Sequence, residues 1–283
     1  MSASVLFDTP GPKGQRNIVL INVIGFLIVA GFIAWIVIGL AAKGQMSWSQ
    51  WDDFLQARTW MDYLLPGLRN TLLAAFLGIV GSLIFGLVFG VGRLSENKVV
   101  RWLSSIVVEF FRAVPVLLMI VFFNIFIARV LGITQNSTLI AVVAALVLYN
   151  GAVVAELVRS GVYGLPKGQR EAATAIGMTN GQSLRLVEIP QALIAMLPAL
   201  IGQFVVILKD SALGYMISFN ELLFFGRTYA SPNGNILQAL VIVALIFILL
   251  NFSITKLAEW VSKSLSSRGQ RVRNPKAAIN AEA

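Results

Sequence analysis

Long apolar runs separated by short polar breaks dominate the chain, and roughly 20 consecutive apolar residues are what a helix needs to cross the hydrocarbon core of a bilayer. Six stretches meet or approach that length: 18–42, 71–91, 107–131, 139–158, 192–208 (extendable to 217) and 236–254. Pro115 interrupts the third, and Pro198 and Gly202 interrupt the fifth. The pattern predicts an all-α polytopic membrane protein with about six transmembrane helices. The first run follows basic residues and precedes Ala41 and Ala42, as a signal peptide would, but about 25 residues is too long for an h-region, so it reads as a retained helix.

Composition agrees with lipid as the solvent. Of 283 residues 57% are hydrophobic and 12% charged, with a mean hydropathy of +0.81, about half the charge that a soluble surface requires. Cysteine and histidine are both absent, which excludes disulfides, thiolate nucleophiles, Ser-His-Asp triads and His/Cys metal clusters. No metal site or catalytic centre is expected on this chain. A net charge of +9 raises the question of nucleic acid, but the basic residues lie between and beyond the apolar runs and form no stripe with interleaved aromatics.

Their distribution orients the chain. With the N-terminus inside, 15 Lys and Arg fall in inner segments and five, Lys43, Arg58, Arg69, Arg129 and Arg227, in outer ones. That bias predicts both termini and the hydrophilic segment 158–189 in the cytoplasm of a multi-pass protein. The expected organisation is an N-terminal tail 1–17, an extra first helix 18–42, an outer interfacial segment 43–65, a transmembrane core 66–261 with a cytoplasmic loop 159–190, and a basic, disordered tail 262–283.

The loop carries the most information. Leu165 to Gly177 reads as a short helix, with Pro166 in its first turn and Gly177 just past its end. Thr179-Asn180-Gly181-Gln182 has the form of a capping box, opening a second short helix that stops before Pro190. Ala172, Ala173 and Ile176 are spaced as one small apolar face, with Glu171 beside it, a surface another protein can approach closely. A structured linker with no such role fits the same residues.

At this point the chain resembles a known family. Glu171-Ala172-Ala173, three residues, Gly177, nine residues and Val187-Glu188-Ile189-Pro190 is similar to the EAA motif of ABC importer permeases. Phe111-Arg112-Ala113-Val114-Pro115-Val116-Leu117, Ala155-Glu156-Leu157-Val158-Arg159-Ser160-Gly161-Val162, Leu208-Lys209-Asp210-Ser211-Ala212-Leu213 and the Asn70-Thr71 pair resemble permeases for polar amino acids, over about 66–265. The extra first helix and basic tail are similar to actinobacterial glutamate uptake permeases. The resemblance implies a type I ABC importer permease fold. It also implies that the loop fits a groove in an ATP-binding subunit through Glu171, Ala172, Ala173, Ile176, Gly177 and Pro190. The implied partners are a dimer of that subunit, a second permease subunit taken as a paralogue, and an extracellular binding protein that delivers an amino acid. ATP and Mg would be held by the partner ATPase, since this chain lacks G-x-x-x-x-G-K-[ST] and binds no cofactor of its own.

Ionisable and amide groups inside apolar spans are costly, and so mark candidate pathway or gate positions. Glu109 and Arg112, and Glu156 and Arg159, form i,i+3 pairs that read as structural or gating. Asn150, Gln203, Lys209, Asp210 and Ser211 are the better pathway candidates. Pro198 would free the carbonyl of Ile194 in the fifth span, marking it as the pore-lining helix. Lys209 reads equally as a snorkelling residue, with Asp210 capping the next segment. The competing function is a stand-alone ion-coupled secondary transporter, which accounts for buried carboxylates but not for a two-helix cytoplasmic knob.

Overall fold

The computed structural model describes residues 11–271, and the chain divides after Leu55 into two compact units. In the first unit α1 (Pro12–Ala42) is a continuous 31-residue helix with no buried residue. Pro12 sits in its first turn, where a missing N–H costs nothing, and Gly44 at φ +71° follows its end. A helix apolar all round is suited to lipid contact. Beyond it are two single turns, Trp48–Gln50 and Asp52–Leu55.

The second unit opens with α2 (Ala57–Arg93), which includes one π-helical turn at Trp60–Leu64. The helix thus begins well before the expected residue 71 and takes in the last part of the segment assigned to the outer interface. There follow α3 (Lys98–Ala113), α4 (Val116–Val130), α5 (Ser137–Tyr163), α6 (Gly168–Ala175), α7 (Asn180–Ser183), α8 (Ile189–Ala195), α9 (Leu197–Ile217), α10 (Leu222–Asn233) and α11 (Ile236–Arg271).

Among the described residues five helices are long and apolar enough to cross a membrane, or six if α3 and α4 count together. The third expected span is therefore corrected. It is not one straight helix, because the chain bends by 97° between α3 and α4. Val114, pushed out of the helical region by the proline after it, has φ −83° and ψ 125°. The fifth span also breaks, at Met196, two residues before Pro198, and the cap hydrogen bonds there fall on the carbonyls of Ala192 and Ile194. The carbonyl expected to be freed is thus occupied. The last helix runs to Arg271, so the start of the tail expected to be disordered is helical, and 272–283 lies outside the described residues.

Packing of α2 on α5 is built on small residues four apart. Gly78, Ser82, Gly86 and Gly90 face α5, and a Cβ added at Gly90 would lie 2.8 Å from Val158 Cβ and 3.0 Å from the Ala155 carbonyl oxygen. In lipid this close approach supplies dispersion contacts where no hydrophobic drive exists between helices. At the Gly78 end of this seam, Ile120, Val142, Leu146 and Ile207 join α4, α5 and α9 in one cluster.

The Asn70-Thr71 pair has a structural role. Asn70 Nδ2 donates to the Asn220 carbonyl at 2.7 Å, and the Leu222 N–H donates to Thr71 Oγ1 at 3.0 Å. Glu221, fully buried, caps α10 by accepting from the N–H groups of Leu223 and Phe224 at 2.8 and 2.7 Å.

Candidate functional site

Between α5 and α8 the chain leaves the bundle and builds the expected knob. Lys167 precedes α6, so Pro166 lies just outside the helix and not in its first turn. Gly177, at φ +82°, makes the left-handed exit. The Thr179 capping box is present in full: the Gln182 N–H donates to Thr179 Oγ1 at 3.3 Å and the Thr179 N–H donates to Gln182 Oε1 at 2.9 Å. The second short helix does not stop before Pro190. A π-helical turn, Leu184–Glu188, carries it into α8, where Pro190 occupies the first turn.

What braces the knob is a pair to which sequence reasoning assigned no role. Arg170 on α6 forks onto Glu188, with Nε to Oε1 at 3.1 Å and Nη2 to Oε2 at 2.6 Å. Ser183 Oγ donates to the same carboxylate at 2.9 Å, and Gln191 Nε2 donates to Gln169 Oε1 at 2.9 Å alongside. Glu188 is buried. The Arg170 hydrogen bond holds its carboxyl below the ordinary range despite burial, and the same bond raises the Arg170 guanidinium. The signal available in sequence was the arginine next to Glu171 and the glutamate inside the second half of the motif, at a separation no periodicity rule connects. Asn180 Nδ2 also donates to Glu96 Oε1 at 2.5 Å, tying α7 to the turn between α2 and α3.

The expected apolar face of α6 is divided. Ala173 is buried against the knob's own interior, whereas Glu171, Ala172 and Ile176 are exposed, Ile176 at 78%. The outward face is therefore Ala172, Ala175 and Ile176, with Glu171 at its edge. Beside α6 lies a groove of about 750 Å³, lined by Tyr163, Pro166, Lys167, Glu171 and Ala175 among others.

The four charges predicted as two local pairs form one network centred on Glu156, and Arg93 joins it as a fifth member bridging both carboxylates. Arg93 Nη1 meets Glu156 Oε2 at 2.7 Å and Nη2 meets Glu109 Oε1 at 2.9 Å. Arg159 binds Glu156 at 2.5 Å, and Arg112 reaches Glu109 and Glu156 at 3.4 and 3.5 Å. Three guanidiniums and two carboxylates thus tie α2, α3 and α5 together at the end of the bundle nearest the knob. Arg93 has only 9% of its side chain exposed, so Arg93→Ala removes a buried cation from both carboxylates, while Glu156 keeps Arg159 and the exposed Glu109 keeps Arg112, at an expected cost of about 2 kcal/mol. The check is the thermal midpoint of the purified protein in detergent, with Arg93→Lys restoring only part of the loss because one ammonium lacks the planar fork.

Asn150 and Gln203 come together, α5 to α9: Gln203 Nε2 donates to Asn150 Oδ1 at 2.5 Å, and the fully buried Asn150 donates to the Leu146 carbonyl at 3.1 Å. Ser211 is buried and donates to the Leu208 carbonyl at 2.7 Å, inside its own helix. Lys209 is exposed and Asp210 half-buried, both about two helical turns beyond Gln203. The structure therefore joins two of the five amide, hydroxyl and charged candidates and leaves Lys209, Asp210 and Ser211 apart from that pair.

The described residues form an all-helical bundle of a multi-pass membrane protein, with a braced two-helix knob and a broken helix whose half-buried Gln203 pairs with a buried asparagine. The chain belongs to the family of binding-protein-dependent transport system inner membrane components, whose model matches residues 82–267. It is 44% identical over 227 residues, 80% of this chain and 83% of the other, to the glutamate transport system permease protein GluD of Corynebacterium glutamicum. It is 28% identical over 209 residues, 72% and 93% of the two chains, to the glutamate/aspartate import permease protein GltK of Escherichia coli O157:H7. Among solved structures, an amino acid ABC transporter crystallised with histidines superposes with a TM-score of 0.65 at 29% identity, over 71% of this chain and 93% of that one. The MetNI methionine ABC transporter, at 22% identity and a TM-score of 0.59 over 74% and 96%, shares the fold. The fold is that of type I ABC importer permeases, and the chain is a permease subunit of an amino acid importer, a fold that implies ATPase and substrate-binding protein partners.

Proposed function

We propose that this chain forms half of the pore of an ATP-driven glutamate importer in a bacterial plasma membrane, with both termini and the α6–α7 knob in the cytoplasm. A second permease subunit, a paralogue, supplies the other half. Two ATP-binding subunits hold ATP and Mg, and an extracellular binding protein delivers the amino acid. The observation that carries the reading is the knob itself: an exposed Ala172, Ala175 and Ile176 face on a helix locked from behind by Arg170 and Glu188. Small side chains let a partner's backbone come close, and the rigid brace lets its movement reach α5 and α8. Glutamate is favoured by the 44% identity to the Corynebacterium protein.

For the pathway, Gln203 is the group to follow. It is half-buried on the broken α9 and held in place by Asn150, so one face of its amide is free to meet an amino acid's carboxylate or ammonium. Gln203→Ala is expected to raise the glutamate concentration for half-maximal uptake by about threefold to tenfold, one hydrogen bond's worth. Ser211→Ala changes it little, because that hydroxyl is turned into its own helix. Both are read as uptake of labelled glutamate in proteoliposomes.

The test of the whole reading is reconstitution with the genomic neighbours. ATPase turnover is expected to rise on adding binding protein and glutamate together. Uptake by this chain alone in ATP-free liposomes would replace the reading with a secondary carrier.

A further inference from the structure

The bend at Pro115 gives α3 three distinct faces. Ser104 and Val108 are buried, Ser104 against Gly92 and Val108 against Ala152 and Ala155. Lys98, Arg101, Ser105, Glu109 and Arg112 line a second face, at spacings of three and four. Val99, Trp102, Leu103, Ile106 and Phe110 line the third, each between 47% and 63% exposed. Ser104 lies next to the end of α2, while Phe111 meets the Phe85 ring two turns deeper, at 6.1 Å between centroids. The helix therefore runs into the bundle from the knob end, with a polar flank and an apolar flank that carries Trp102 at its edge. That is the arrangement of a helix lying in the bilayer interface.

Two more observations specify the occupant. The apolar flank leads into a groove of about 290 Å³ at the bend, lined by Phe110, Val114, Leu118 and Phe122 and by no charged group. At the other end of the helix Lys98 and Arg101 form no ion pair among the described residues. Of the carboxylates nearby in sequence, Glu96 accepts from Asn180 and Glu109 faces Arg93 and Arg112. Cations at the headgroup level and an apolar groove deeper in match the two ends of an anionic phospholipid.

We infer that α3 and the groove at its bend form a binding surface for an anionic phospholipid of the leaflet on the knob side. The headgroup lies at Lys98 and Arg101 and an acyl chain runs along Trp102, Ile106 and Phe110 to the groove. Phosphate and two cations without carboxylate partners complement each other, and each such cation adds roughly fivefold to the affinity for an anionic surface. The inference rests on the membrane orientation proposed above.

The experiment reads lipid contact without reading transport. The assembled complex is reconstituted with phosphatidylglycerol or phosphatidylcholine brominated on the acyl chains, and Trp102 fluorescence is isolated as the difference from Trp102→Phe. Trp102 is expected to be quenched by both lipids, with a roughly 25-fold preference for phosphatidylglycerol that Lys98→Gln/Arg101→Gln abolishes while quenching by phosphatidylcholine persists. Absence of quenching by either lipid would mean that a protein partner covers the face, and equal quenching by both would mean that the cations select nothing; each overturns the inference. Uptake assayed on the same vesicles shows separately whether the importer reading stands.

Discussion

Glu188→Ala is expected to uncouple the transporter while leaving its helices folded. Removing this carboxylate leaves the Arg170 fork empty and the buried Ser183 hydroxyl without its acceptor. The loss is about 2 to 3 kcal/mol, enough to shift a marginal docked knob by roughly tenfold or more. Glutamate-stimulated ATPase activity and uptake should fall together, while α-helical content by circular dichroism stays the same. Glu188→Gln keeps the shape and one acceptor and should retain part of both activities. The pair also sets an acid limit. Because the folded pKa of Glu188 is lowered from its ordinary 4.5, the pair's stabilisation is fully present above that value and is lost as pH falls through the lowered one. Knob protection against protease should weaken in that window in the natural chain and show no such step in Glu188→Gln.

Gly86→Leu is expected to abolish assembly of the bundle. A Cβ at this position overlaps the Val154 side chain and comes within 3.0 Å of the Gly151 carbonyl oxygen. Val154 is itself almost fully buried, and a helix backbone has no rotamer to yield, so α2 and α5 must separate. Overpacking of this kind costs about 3 kcal/mol or more. The same change at Gly25 in α1 meets nothing within 4 Å and should be silent. Monodispersity and thermal midpoint in detergent distinguish the two.

How much of this was legible in sequence depends on the range of the interaction concerned. Apolar length located the five described helices long enough to cross a membrane, because burial in lipid leaves no other solution for the backbone, but it did not separate α3 from α4. The capping box at Thr179 and the left-handed Gly177 were readable because both act within four residues. Pro115 was visible as an interruption, but its angle was not, since the residue before a proline is only barred from the helical region and packing of α3 on α2 and α5 decides where it goes instead. The π-helical turn before Pro190 was hidden for the same reason. Arg93 escaped notice among the basic residues that orient the chain, because only the parallel packing of α2 and α5 brings it to Glu156. Asn150 and Gln203, 53 positions apart, were singled out by their cost in an apolar helix, and their pairing came from the fold. Ala173 was placed on the wrong side of α6 because a three-residue apolar set on a short helix does not say which edge faces inward.

The central claim is that the α6 face seats in an ATP-binding subunit, and one cross-link tests it most directly. The chain contains no cysteine, so Ile176→Cys introduces its sole thiol at a residue 78% exposed. With a thiol-directed photoreactive reagent attached, the assembled complex is expected to yield an adduct with the ATP-binding subunit, and Trp35→Cys on α1 should yield none with it. Adducts of Ile176→Cys with lipid or solvent alone, in a complex that still hydrolyses ATP, would contradict the account.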